Sequence, residues 1–126
     1  MDKKRILVVD DEENTRRLMQ IALTNAGFEV LQAENGLKAL EIIQKEIPDA
    51  VIVDIVMPEM DGRSLLREIR KIPEVKDIPV VISSGKDEMK KYFEIENIKY
   101  ESFLNKPYKI KILVETVKNL FKNTDS

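Results

Sequence analysis

Ile6-Leu-Val-Val-Asp-Asp-Glu12 is an unbroken apolar run that stops abruptly on three carboxylates. Four consecutive aliphatic side chains, mostly β-branched, read as a strand buried on both faces, the kind that parallel sheets contain. Three more runs share the character: Ala50-Val-Ile-Val53, Pro79-Val-Val-Ile82 and the briefer Ser102-Phe-Leu104. Glu29-Val-Leu-Gln-Ala33 alternates instead, which suits an edge strand. Helical periodicity fills the gaps. Leu18, Ile21, Ala22 and Ala26 repeat at helical spacing before Gly27, and Leu37, Leu40, Ile43 and Ile47 repeat between Asn35-Gly36 and Pro48. Ser64, Leu65, Leu66, Ile69 and Ile72 precede Pro73. A more polar helix is expected over Asp87–Ile98, and Ile110, Leu113, Val114, Val117, Leu120 and Phe121 mark a last one. The order is βαβαβαβαβα. That alternation predicts an α/β fold with a parallel sheet covered on both faces through right-handed crossovers.

The 126 residues suit one domain, with a core large enough to need no disulfide or structural metal. No linker, repeat or low-complexity tract divides residues 1–126, and a short polar tail at about 122–126 leaves no effector domain within the chain. The composition excludes whole chemistries. Without Cys there is no disulfide scaffold, thiol nucleophile, zinc finger or iron–sulfur site. Without His there is no Ser-His-Asp triad, HExxH metalloprotease or phosphohistidine carrier. A net charge of −2 gives no electrostatic reason to bind nucleic acid or an anionic membrane. No apolar run reaches the roughly 18 residues of a membrane span, and Ile6–Val9 is too short for a signal peptide's core, so a cytoplasmic location is expected.

Ligands of open α/β sheets bind at the carboxyl ends of the strands, near the point where strand order reverses. In a doubly wound 2-1-3-4-5 sheet that point lies between strands 1 and 3. The first strand ends in Asp10-Asp11-Glu12, the third in Asp54, the fourth in Ser83-Ser84-Gly85 and the fifth in Asn105-Lys106-Pro107. Singly, each residue has a plain structural reading: Asp11 as a helix cap, Asp54 in a turn, Ser84 as a cap, Lys106 as a solvated charge. Jointly they put three carboxylates, a hydroxyl and a lysine on one rim. Two like charges about 4 Å apart repel by about 4 kcal/mol at an effective dielectric near 20, and a hard divalent cation relieves that. Lysine can pair with a carboxylate and then with a phosphate, and serine can donate to a phosphoryl oxygen. The set therefore points to a metal-assisted phosphoryl-acceptor site with a carboxylate nucleophile. Asp54 is the candidate, because the Asp10/Asp11 pair is better placed to hold the metal.

At these residues the chain resembles the response-regulator receiver domain of bacterial two-component signalling. The resemblance is carried by Ile6-Leu-Val-Val-Asp-Asp-Glu12, Val53-Asp-Ile-Val-Met-Pro-Glu-Met-Asp-Gly62, Ile78-Pro-Val-Val-Ile-Ser-Ser-Gly85 and Phe103-Leu-Asn-Lys-Pro107. It implies a flavodoxin-like (βα)5 fold with a five-stranded 2-1-3-4-5 sheet. It implies that Asp54 accepts a phosphoryl group from a kinase's phosphohistidine. It implies Mg2+ (or Mn2+) held by Asp10, Asp11, Asp54 and the Val56 backbone carbonyl. Ser84 and Lys106 would receive the phosphoryl group, a cis peptide would join Lys106 to Pro107, and Phe103 would turn inward as Ser84 moves. Pro58 and Gly62 would shape the loop after Asp54.

The implied partners are a histidine kinase or phosphotransfer protein and an unnamed output partner, read by the surface of the Asp87–Ile98 helix, the last strand and the last helix. A dimer is compatible with the family. The domain would signal rather than act as an enzyme, beyond self-phosphotransfer and autodephosphorylation. The charged Glu94–Glu101 stretch and the polar Asp87–Ile98 helix depart from the family's usual text.

Three other readings compete. A small Mg2+-dependent phosphohydrolase with an aspartate nucleophile would carry an alternating Asp-x-Asp, where this chain has Asp10-Asp-Glu-Glu-Asn14. A flavodoxin-type electron carrier would carry a Gly/Ser/Thr-rich phosphate loop there, and four carboxylates would repel phosphate. A degenerate receiver would lack some of the site residues, all of which are present.

Overall fold

The computed structural model describes residues 3–55, 57, 60–85 and 98–122. The described residues form five strands and four helices: β1 (Arg5–Val9), α1 (Glu13–Asn25), β2 (Glu29–Ala33), α2 (Gly36–Lys45), β3 (Ala50–Asp54), α3 (Gly62–Lys71), β4 (Val80–Ser84), β5 (Ser102–Asn105) and α4 (Ile110–Leu120). The sheet is parallel throughout, in the order β2-β1-β3-β4-β5. The doubly wound α/β fold expected from the apolar runs is present. The helix expected over Asp87–Ile98 lies outside the described residues, apart from Ile98, which belongs to no helix. Val56, Pro58, Lys86 and the end of the polar tail also lie outside them.

Continuous apolar strands bury both faces, and the two faces make two cores. One gathers Leu7, Val9, Val51, Val53, Val80 and Ile82 under α2 and α3, with Leu65, Leu66 and Ile69. The other gathers Ile6, Val8, Ile52 and Val81 against Met19 and Leu23 of α1 and Leu113 and Val117 of α4. Alternate residues of one strand thus serve opposite cores.

Boundaries moved where backbone chemistry decides them. β4 begins at Val80 because Pro79 has no N–H for the ladder, although its carbonyl still accepts from Val51 N–H at 3.0 Å. α2 starts as expected at Asn35, whose side chain accepts from Lys38 N–H at 2.8 Å, but it ends at Lys45, leaving Ile47 exposed beyond it. The buried stripe of α1 differs from the expected one. Leu18 and Ile21 are about half exposed, while Met19, Leu23 and the partly buried Ala26 face the sheet.

Candidate functional site

Strand order puts the ends of β1 and β3 side by side, and the acidic residues meet there. Asp10 follows the last residue of β1, and Asp54 is the last residue of β3. Asp10, Asp11 and Asp54 can each bring a carboxylate oxygen within 4.8 Å of the others. Asp10 and Asp54 are buried, whereas Asp11 is exposed. Lys106, just past β5, donates from Nζ to Asp10 Oδ2 at 3.0 Å and to Asp54 Oδ2 at 3.2 Å. It is no solvated surface charge. Burial works against the Lys106 ammonium, but its pairs with Asp10 and Asp54 outweigh burial and hold its pKa above the usual lysine value. One ammonium against three carboxylates leaves the pocket with a formal excess of two negative charges.

The backbone fixes these side chains in several ways. Asp11 caps nothing: the residue before α1 is Glu12, whose N–H donates to Asp10 Oδ1 at 2.9 Å. Ser84 ends β4, fully buried, and its carbonyl accepts from Lys106 N–H at 2.8 Å. The Lys106–Pro107 peptide is cis, as the resemblance implied. Gly62 opens α3, with Asp61 before it accepting from Ser64 N–H at 2.8 Å. A Cβ on Gly62 would lie 2.2 Å from the Asp54 carbonyl oxygen, so only glycine lets the helix start this close to the acidic strand end. Phe103 is half-buried on β5, away from solvent on one side, with its ring edge-on to Tyr100 at 6.4 Å.

Two polar residues at the site had no signal in the sequence. Arg16, on α1, donates from Nη1 to the Asp10 carbonyl at 2.7 Å. Tyr108, just past Pro107, has its phenol pushed up by burial, with neighbouring Ser83 and Lys106 pulling the other way. The fully buried Ser83 hydroxyl approaches that phenol without completing a hydrogen bond of good geometry. An isolated Arg or Tyr carries no spacing rule, so only the folded arrangement reveals either.

An acidic pocket at the β1/β3 crevice, bridged by a lysine from the end of β5, agrees with the family comparison: the response regulator receiver domain model matches residues 6–118. The chain belongs to the receiver domain family. It is 34% identical over 123 residues to the probable transcriptional regulator ycf27 of Porphyra purpurea, covering 98% of this chain and 49% of that protein. It is 30% identical over 120 residues to response regulator MprA of a Mycobacterium species, covering 95% of this chain and 51% of that protein. This receiver domain therefore spans about half the length of the curated relatives it matches.

Among solved structures it is similar to Vibrio cholerae chemotaxis protein CheY4, with a TM-score of 0.87 and 28% identity over 94% of this chain and 98% of that one. It is also similar to the Francisella response regulator 1452 receiver domain, with a TM-score of 0.86 and 30% identity over 97% of this chain and 99% of that one. The protein is a receiver domain of the two-component response-regulator type, and its Asp10/Asp11/Asp54 pocket fits a phosphorylation site. No helix among the described residues is long and apolar enough to cross a membrane.

Proposed function

We propose that Asp54 is the phosphoryl acceptor. Its support is one observation: three carboxylates and the Lys106 ammonium gather at the carboxyl ends of the adjacent strands β1 and β3. An Asp54 carboxylate oxygen attacks the phosphorus of a partner's phosphohistidine. The N–P bond breaks, the O–P bond of an acyl phosphate forms, and the imidazole leaves with the electron pair. This chain has no histidine, so the donor imidazole comes from another domain, a histidine kinase or phosphotransfer protein. Once the acyl phosphate forms, Lys106 exchanges part of its pairing with Asp54 for the phosphoryl oxygens, and the Ser84 hydroxyl donates to them.

The donor set also fits a hard cation, because three clustered carboxylates are the oxygen ligands that Mg2+ takes and Mn2+ can share. Asp10, Asp11, Asp54 and the Val56 carbonyl would hold it. When bound, it neutralises charge on the phosphoryl oxygens.

Phosphorylation puts roughly −2 of charge where a single carboxylate charge stood. With Ser84 and Lys106 drawn to that charge, the Phe103 ring moves inward, and the surface of the Asp87–Ile98 segment, β5 and α4 changes for an output partner. The 126 residues act as one cytoplasmic receiver domain, a signalling module whose own chemistry is limited to self-phosphotransfer and autodephosphorylation. It contacts neither nucleic acid nor membrane directly.

Incubation with Mg2+ and acetyl phosphate should add one phosphoryl group by intact mass, and Asp54→Ala should abolish it. An unmodified wild type, or an unchanged adduct in Asp54→Ala, overturns the assignment. Sustained turnover of a phosphate monoester would instead support a phosphohydrolase.

A further inference from the structure

We infer that Arg16 is a positioning residue that sets the angle between the Asp10 and Asp11 carboxylates, with Gln32 of β2 holding its guanidinium in place. The inference rests on the metal-assisted reading above. The Asp10–Glu12 turn is held at the amide and the carbonyl of both Asp10 and Glu12. Asp10 N–H donates to the Ala33 carbonyl of β2 at 3.2 Å, and Glu12 N–H donates to Asp10 Oδ1 at 2.9 Å. Arg16 N–H donates to the Glu12 carbonyl at 3.1 Å, and Arg16 Nη1 to the Asp10 carbonyl at 2.7 Å.

The last contact matters most. The Asp10 carbonyl and the Asp11 N–H belong to one planar peptide, so fixing the carbonyl fixes the plane from which the Asp11 side chain departs. Asp10 is locked by burial, whereas Asp11 is exposed and takes its direction from that plane.

A planar guanidinium suits the task because it carries donors in a fixed fork. While Nη1 holds the carbonyl, Nε donates to Gln32 Oε1 at 3.3 Å, and Gln32 in turn donates from Nε2 to Gln20 Oε1 on α1. An ammonium at the same place could satisfy the carbonyl, but its rotating donors lack the rigid fork through which Gln32 fixes the direction of Nη1. Groups that orient metal ligands from behind commonly change metal affinity about 10–100-fold when removed.

The sign of the effect separates positioning from charge alone. If Arg16 acted only through its positive charge, Arg16→Met would strengthen Mg2+ binding and Arg16→Lys would leave it unchanged. Positioning requires that both weaken it.

The test is calorimetric titration of the unphosphorylated protein with Mg2+, well below each variant's melting transition, together with the NMR shift of the Asp11 amide in metal-free protein. Arg16→Met should raise the Mg2+ Kd about tenfold. Arg16→Lys and Gln32→Leu should raise it by smaller factors, and each variant should move the Asp11 amide. Gln32→Leu leaves the arginine in place and tests the idea even where Arg16→Met folds poorly. Unchanged or tighter Mg2+ binding by folded variants, beside a wild type that binds Mg2+, overturns the role of Arg16 alone. A wild type that binds no Mg2+ overturns the metal-assisted reading and this inference together.

Discussion

Gly62→Ala is the substitution for which the structure makes the sharpest demand. The added Cβ would lie 2.2 Å from the Asp54 carbonyl oxygen, 2.9 Å from its carbon and 3.0 Å from Ile55 Cα, all backbone atoms. Real Cβ atoms essentially never come closer than 3.0 Å, so something must shift. β3 cannot yield, since it pairs with β1 and β4 and is buried along its whole length. The start of α3 must therefore move, which strains the bond from Gly62 N–H to the Ile55 carbonyl at 3.1 Å and lifts the fully buried Leu65, Leu66 and Ile69 from their seats.

Overpacking of this kind costs about 1–3 kcal/mol, and loss of one backbone hydrogen bond adds about 1 kcal/mol. Against this, alanine gains at most about 1 kcal/mol, because its helix propensity over glycine and its less flexible unfolded chain are one entropic effect. The steric cost wins by about 1–3 kcal/mol, or roughly 3–12 °C of melting temperature for a domain of this size. Thermal unfolding followed by circular dichroism measures it. Gly85→Ala is the control, because its Cβ would meet only Lys106 Cβ, at 3.9 Å, and it should melt with the wild type. A Gly62→Ala protein that melts at or above the wild type refutes the argument.

Two charged side chains at opposite ends of the sheet give further measurable outcomes. The pKa of Lys106 is raised in the folded state, so its contribution to stability is complete below the unfolded lysine value near 10.4 and is lost as pH rises through the higher folded value. The stability difference between wild type and Lys106→Met, measured by urea titration, should be level around neutral pH and shift against the wild type above that unfolded value. A difference that stayed level through the alkaline range would contradict the pairing. At the opposite end of the sheet, Arg70 donates to the carbonyls of Lys76, Ile78 and Lys99 at 2.7–3.2 Å and pairs with Glu101, which itself accepts from Val80 N–H at 2.6 Å. Arg70→Met should cost about 2–4 kcal/mol by leaving those carbonyls without their donor, a loss readable in the same titration. Wild-type stability in that variant would show the clamp to be ornamental.

Much of the fold was legible because strand burial writes itself into composition. Runs such as Ile6–Val9 and Ala50–Val53 admit no solvent-facing side, so their continuity already implies a sheet covered on both faces. Helical faces were less legible. On α1, the exposed Leu18 and Ile21 interleave with the true seam of Met19, Leu23 and Ala26, and periodicity alone cannot say which stripe meets the sheet. The position of Lys106 in the chain was readable, but its partners were not, since 96 residues separate it from Asp10 and 52 from Asp54.

The amino-acid order by itself determined where each apolar run gives way to polar residues: Asp10 just past β1, Asp54 as the last residue of β3, Ser84 as the last of β4 and Lys106 just past β5. Those ends were bound to share one rim once the sheet was parallel. Which of them touch was decided only in three dimensions, by the placement of β1 beside β3 and the reach of Lys106 across from β5. The same holds for Arg16: nothing in its spacing marks it, and its role arises because α1 passes the end of β1 where the Asp10 carbonyl leaves the ladder. Local sequence sets burial and backbone preference, whereas long-range contact belongs to topology.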